Sequence, residues 1–174
     1  DPRVDELGKR IPSRGIFDRD ECIEVFVSRV SRLAEIAEKA GVGLMIENNV
    51  LSAKNAVEFS TNPLLICDPQ ECQKIMGLLP ASVKQLIDVA HLKVSANSLN
   101  FDPSKMFDLC HERIAGFHLS DNNGMEDSNK PFADDSWFWP HLKAGVGYYS
   151  VEVYGSTPDQ LLLPATDARS QRQS

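Results

Sequence analysis

VKQLIDVAH, residues 83–91, and IAGFHLSDN, residues 114–122, decide how this chain is read. Each is an apolar run that closes on polar side chains able to bind a metal. The first ends on Asp88 and His91, the second on His118. Neither alternates apolar with polar, so both read as strands buried on two faces, as in a parallel sheet covered by helices. Working outward, VGLMIEN (42–48) is a similar short run closing on Glu47, and YYSVEVYG (148–155) is a fourth, closing on Glu152. Helical segments separate them. PQECQKIMGLLP (69–80) is one. DPSKMFDLCHER (102–113) is another, with Asp102 as N-cap and Pro103 in the first turn. The clearest helix precedes all four strands, in DRDECIEVFVSRVSRLAEIAEKAG (18–41). There Ile23, Phe26, Val27, Val30, Leu33, Ala34 and Ala37 recur at three- and four-residue steps and Gly41 is a natural stop. Residues 48–68 read as a long loop, and DDSWFWPHLK (134–143) holds a short helical piece. The order is an α/β alternation with about four parallel strands.

Composition sets the bounds. The chain has 174 residues, which is one domain's worth. Apolar residues make up 42% and charged residues 25%, as in a globular protein with a sizeable core. The net charge of -7 argues against a non-specific nucleic-acid binder, which needs clustered cations. No apolar run is long enough to span a bilayer. The opening DPRVDELGKR lacks the pattern of a secretory leader, and a start on Asp rather than Met suggests a fragment or processed product. Cys22, Cys67, Cys72 and Cys110 show neither CxxC pairing nor metal-ligand spacing, so a reduced, cytoplasmic setting is expected. Residues 1–19 read as an N-terminal loop, 20–163 as the folded domain, and 164–174 as a disordered tail behind Pro164.

The four strand ends carry Glu47, Asp88, His118 and Glu152. Their spacings, 41, 30 and 34 residues (88 − 47, 118 − 88, 152 − 118), are each about one βα unit. Successive parallel strands would bring all four to one rim, where three carboxylates and an imidazole suit one divalent cation: Mn, Co, Zn or Mg. Taken singly, each has an ordinary explanation. A Glu after an apolar strand is a solvated strand end, Asp88 a cap, His118 a hydrogen-bonded core histidine. Four such residues in phase are much stronger evidence than any one.

At these residues the sequence resembles the xylose-isomerase-like TIM barrel superfamily of sugar isomerases and epimerases, which also includes the type IV apurinic endonucleases. The matching stretches are GVGLMIENN (41–49), LIDVAHLKVSAN (86–97), GFHLSDNNG (116–124) and YSVEVYG (149–155). The resemblance implies a (β/α) barrel of which this chain holds the C-terminal half, roughly residues 20–155. It also implies that Glu47, Asp88, His118 and Glu152 hold one divalent metal. Glu47 and Glu152 would in addition be acid and base on opposite faces of a sugar or sugar-phosphate substrate, with His91 contacting substrate or a further metal. Asn48, Lys93 and Asp121 are candidate substrate groups, and Trp137, within SWFWP (136–140), is a candidate apolar wall or an interface residue. The endonuclease branch carries an Asp-x-His pair after the His118 strand that builds a further zinc site. Here that position reads Asp127-Ser128-Asn129, and the missing histidine, with the net charge, lowers the nuclease alternative. A half-barrel would leave strand edges open, so a homo-oligomer, a complementary N-terminal half-barrel, or a non-catalytic role in such an assembly is also expected. His111 falls at the end of the expected 102–113 helix, where the dipole favours a cation, so it reads as structural, and His141 has no partner signal.

Overall fold

The structure is a computed structural model, and it describes residues 17–142 and 146–157. Five helices and four strands follow one another as α1 (Arg19–Lys39), β1 (Met45–Glu47), α2 (Ala53–Phe59), α3 (Pro69–Leu78), β2 (Lys84–Asp88), α4 (Val89–Leu99), α5 (Ser104–Cys110), β3 (Ile114–Leu119) and β4 (Tyr148–Val151), with one turn of 3-10 helix at Trp139–His141 before β4. The strands form one parallel sheet in the order β1-β2-β3-β4. Sequence neighbours are thus spatial neighbours throughout, as in a wall of a (β/α) barrel.

Local chemistry sets the element ends. α1 begins where the Asp18 side chain accepts the Glu21 N–H, and it ends before Gly41, whose φ of +67° suits a residue without Cβ. α3 starts in the same way, on Asp68 with Pro69 in the first turn. Its far end is held by Arg113, whose guanidinium donates to the carbonyls of Met76, Leu79, Pro80 and Val83. The helix-end carbonyls among them have lost their intrahelical partners, and the Pro80 carbonyl also accepts the Val83 N–H. The core lies between the sheet and the helices. Cys72, Ile75 and Met76 of α3, Met106, Phe107 and Cys110 of α5, and Ile87 and Phe117 of the central strands are all buried there. Cys72 and Cys110 lie with their sulfurs 3.4 Å apart, both as free thiols.

Several elements differ from the sequence expectation. The strand read through residue 91 stops at Asp88, and His91 stands on α4. Val89 and Ala90 are apolar because α4 is buried nearly all round, so no single stripe marks it as a helix. The loop 48–68 contains α2, capped by Ser52. The helix expected from residue 102 begins at Ser104, after Pro103, and the Asp102 carboxylate accepts the Ser104 N–H from just outside. The helical piece near residue 139 is a single turn, and residue 19 already belongs to α1. Leu33 is exposed, because it lies about 100° round the helix from the buried Ala34. The central strands β2 and β3 are covered, whereas on β4 Tyr148, Tyr149 and Val151 are exposed. The tail expected at 164–174 lies outside the described residues, as do residues 1–16 of the expected N-terminal loop.

Candidate metal centre

Glu47, Asp88 and His118 come together at one place, and Glu152 stands beside His118 at its edge. Glu47 is the last residue of β1, and Asp88 is both the last residue of β2 and the N-cap of α4. His118 on β3 pairs across the ladder with Asp88. Glu152 is one residue past β4, but its N–H still bonds the Leu119 carbonyl, which continues the ladder. His118 Nδ1 is 3.2 Å from Glu47 Oε1, 3.2 Å from Glu152 Oε1 and 3.9 Å from Asp88 Oδ2. The donor atoms of Glu47, Asp88 and His118 all lie within 4.8 Å of one another. Two ligands about 2.1 Å from one ion, at tetrahedral or octahedral angles, stand roughly 3.0–3.4 Å apart, so the two 3.2 Å separations match a coordination shell and the Asp88 oxygen lies slightly wider.

Asp88 supplies the most telling atom. Its Oδ1 accepts the His91 N–H at 2.8 Å and so caps α4. Its Oδ2 is buried without a hydrogen-bond partner and faces the cluster. A buried unpaired carboxylate oxygen is costly unless a cation completes it. Burial pushes the Asp88 carboxyl up to about 6; the His91 charge and N–H oppose this, and the charges of Glu47 and Asp127 add to it. A bound cation would favour the ionised form instead. The residues present therefore fit a divalent ion.

His91 stands beside this group. Its Nδ1 is 3.0 Å from the Asn48 carbonyl oxygen and 3.6 Å from Glu47 Oε1, and its Nε2 is 3.2 Å from Asp127 Oδ2. Burial opposes its charge, but the bond to Asp127 and the charge of Asp88 outweigh that and lift the imidazole to about 9. Sequence reasoning noted Asp127 only for the histidine missing two residues later. The structure brings Asp127 to His91 by folding the loop back, with Asp121 and Lys130 paired backbone to backbone.

The remaining candidates fall elsewhere. Asn48 is buried, with its amide on the Asp88 backbone. Lys93 Nζ bonds Asp121 Oδ1 and the Asn122 carbonyl, and Asp121 Oδ2 accepts the Ser136 hydroxyl. Burial raises the Asp121 carboxyl, but these partners prevail and hold it below the usual range. Together they pin the loop after β3 against α4. Trp137 packs against Phe107 and His141. His141 stacks on Phe107 with ring centroids 4.6 Å apart.

A parallel βα wall with acids and an imidazole gathered at the C-terminal ends of its strands is the arrangement of a (β/α)-barrel site. The sequence matches the family described as xylose isomerase-like TIM barrel over residues 4–156, and the chain belongs to that family. Among solved structures it is similar to a protein from Rhodospirillum rubrum named provisionally as a xylose isomerase, with 18% identity and a TM-score of 0.57. That match covers 90% of this chain and 56% of the other, so the chain spans little more than half the length of that relative. No curated protein matches. No helix among the described residues is long and apolar enough to cross a membrane.

Proposed function

We propose that this chain carries the metal-binding half of a sugar or sugar-phosphate isomerase or epimerase. Glu47, Asp88, His118 and Glu152 would hold one divalent cation. The observation that supports this best is the unpaired, buried Asp88 Oδ2 facing Glu47 and His118. When bound, the ion supplies charge stabilisation to the oxygens of a carbonyl and its neighbouring hydroxyl.

The chain's residues divide the remaining work. Glu47 and Glu152 enter from β1 and β4, on opposite flanks of His118, so one carboxylate takes the proton from the carbon beside the carbonyl and the other returns it from the far side. His91, its ring nitrogens directed at the Asn48 carbonyl and at Asp127, keeps positive charge beside the acids and orients a substrate oxygen. The single cluster of three donors among the described residues supports one ion rather than the two or three of a nuclease.

The test begins with elemental analysis of the purified protein. About one Mn, Co, Zn or Mg per chain, lost in His118→Ala, is expected. A sugar panel in heavy water then follows deuterium entering the carbon beside the carbonyl. Two or three zinc ions per chain, or cleavage of abasic DNA, would overturn the isomerase reading.

A further inference from the structure

We infer that Asn48 is a positioning residue for the metal centre: its side-chain amide clasps the Asp88 peptide groups and thereby aims the Asp88 carboxylate at the cluster. The inference rests on the metal reading above and concerns how that site is built.

The β1–β2 ladder ends at Glu47 opposite Leu86. Beyond it the chain turns away, and the Asn49 N–H goes to the Ile66 carbonyl. Backbone pairing from β1 therefore stops short of Asp88, the residue whose position matters most. The Asn48 side chain takes over. Its Oδ1 accepts the Asp88 N–H at 2.8 Å and its Nδ2 donates to the Asp88 carbonyl at 3.0 Å. This is the two-bond pattern of a strand pair, made by a side chain. Only a carboxamide sets a donor and an acceptor side by side for it. A carboxylate can only accept, and Gln is one methylene too long.

Asn48 is 1% exposed and Asp88 fully buried, so water cannot replace either bond cheaply. The consequence reaches the site along two routes. Asp88 Oδ1 is committed to the His91 N–H, so the only oxygen free for a cation is Oδ2, and its direction is set by where the Asp88 backbone sits. The Asn48 carbonyl also takes His91 Nδ1, and Asn48 follows Glu47 directly in sequence. The Asn48 side chain thus ties Asp88 to the end of β1 beside Glu47, while the Asn48 backbone carbonyl holds His91. Groups that orient ligands in this way typically affect metal affinity by about 10–100-fold.

The experiment measures Mn²⁺ affinity by the free-ion EPR signal, with amide hydrogen exchange at Asp88 recorded on the same samples. Asn48→Ala is compared with wild type and with Leu79→Ala, a buried change at the opposite end of the sheet that lowers stability without touching the site. Asn48→Ser is the milder variant should Asn48→Ala fold poorly. The expected result is Mn²⁺ affinity about 10–100-fold weaker in the Asn48 variants, with faster exchange at Asp88, and affinity unchanged in Leu79→Ala. Asn48 variants that bind Mn²⁺ within twofold of wild type overturn the inference and leave the metal site standing. A wild-type chain that binds no Mn²⁺, and by elemental analysis no Co, Zn or Mg, overturns the metal site itself, and this inference with it.

Discussion

Removing the Arg113 guanidinium should cost the fold about 3 kcal/mol and leave the site untouched. Its two terminal nitrogens donate to four carbonyls, those of Met76, Leu79, Pro80 and Val83. A hydrogen bond to a charged group is worth about 1.5–3 kcal/mol when buried. Arg113 is only half-buried, and water can reach some of the carbonyls once the side chain is gone, so the sum must be discounted. About 3 kcal/mol for Arg113→Ala is what remains. For a chain of this size that is roughly 6–12 °C in Tm. Arg113→Lys should recover less than half, because an ammonium is a compact point charge and cannot span four acceptors. The assay is urea unfolding followed by far-UV circular dichroism, with the slope against urea unchanged. A loss below about 0.5 kcal/mol, the range of an ordinary surface substitution, would refute the clamp. Mn²⁺ affinity should stay at the wild-type value, because Arg113 precedes β3 at its N-terminal end and the acids sit at the other.

Four other outcomes are expected. Gly116→Ala should cost about 1–3 kcal/mol in the same unfolding assay, since a Cβ there would lie 2.8 Å from Leu86 Cδ1 and 3.0 Å from Tyr148 Cδ1. Mn²⁺ at a hundred times its Kd should add about 2.7 kcal/mol of stability, and a chelator should remove it, as scanning calorimetry would show. Glu152→Gln should keep the fold, because residue 152 is only partly buried at the rim, and should lose deuterium exchange into substrate. As pH falls, stability should drop below the ordinary carboxylate value near ~3.9, because Asp121 has a depressed pKa and its stabilising effect is lost on protonation. Asp121→Asn should flatten that acid limb of the unfolding curve.

The sequence showed the repeat of the fold better than its edges. The apolar runs ending on Glu47, Asp88, His118 and Glu152 were legible because strands buried on both faces leave a continuous apolar signature. α4 was hidden for the same reason: a helix buried nearly all round also lacks a stripe, and it follows β2 without a linker. α2 is seven residues long with none buried, too little for any periodicity. At the candidate site, the residue types and their phase along the chain could be read, since spacing by βα units is a property of the chain. The partners of Lys93 and Asn48 could not. Lys93 meets Asp121 and Asn122 across 28 and 29 residues, and the Asn48 amide meets Asp88 across 40. Long-range polar pairs carry no local pattern. Asp127 reaches His91 only because a loop closes on itself through Asp121 and Lys130, which no spacing announces.

Gly116 gives the site its depth. It lies two residues before His118 on the same face of β3, and the ends of Met45, Leu86 and Tyr148 crowd the space where its side chain would be. Sulfur, methyl and ring carbon thus form an apolar layer two residues below His118, with Tyr148 open to water on its outer side. The apolar layer leaves the polar ends of the strands as the wet side of the sheet, and the loop pinned by Lys93 and Asp121 borders it. On the proposed function, how quickly that loop loosens would set how fast small molecules exchange there.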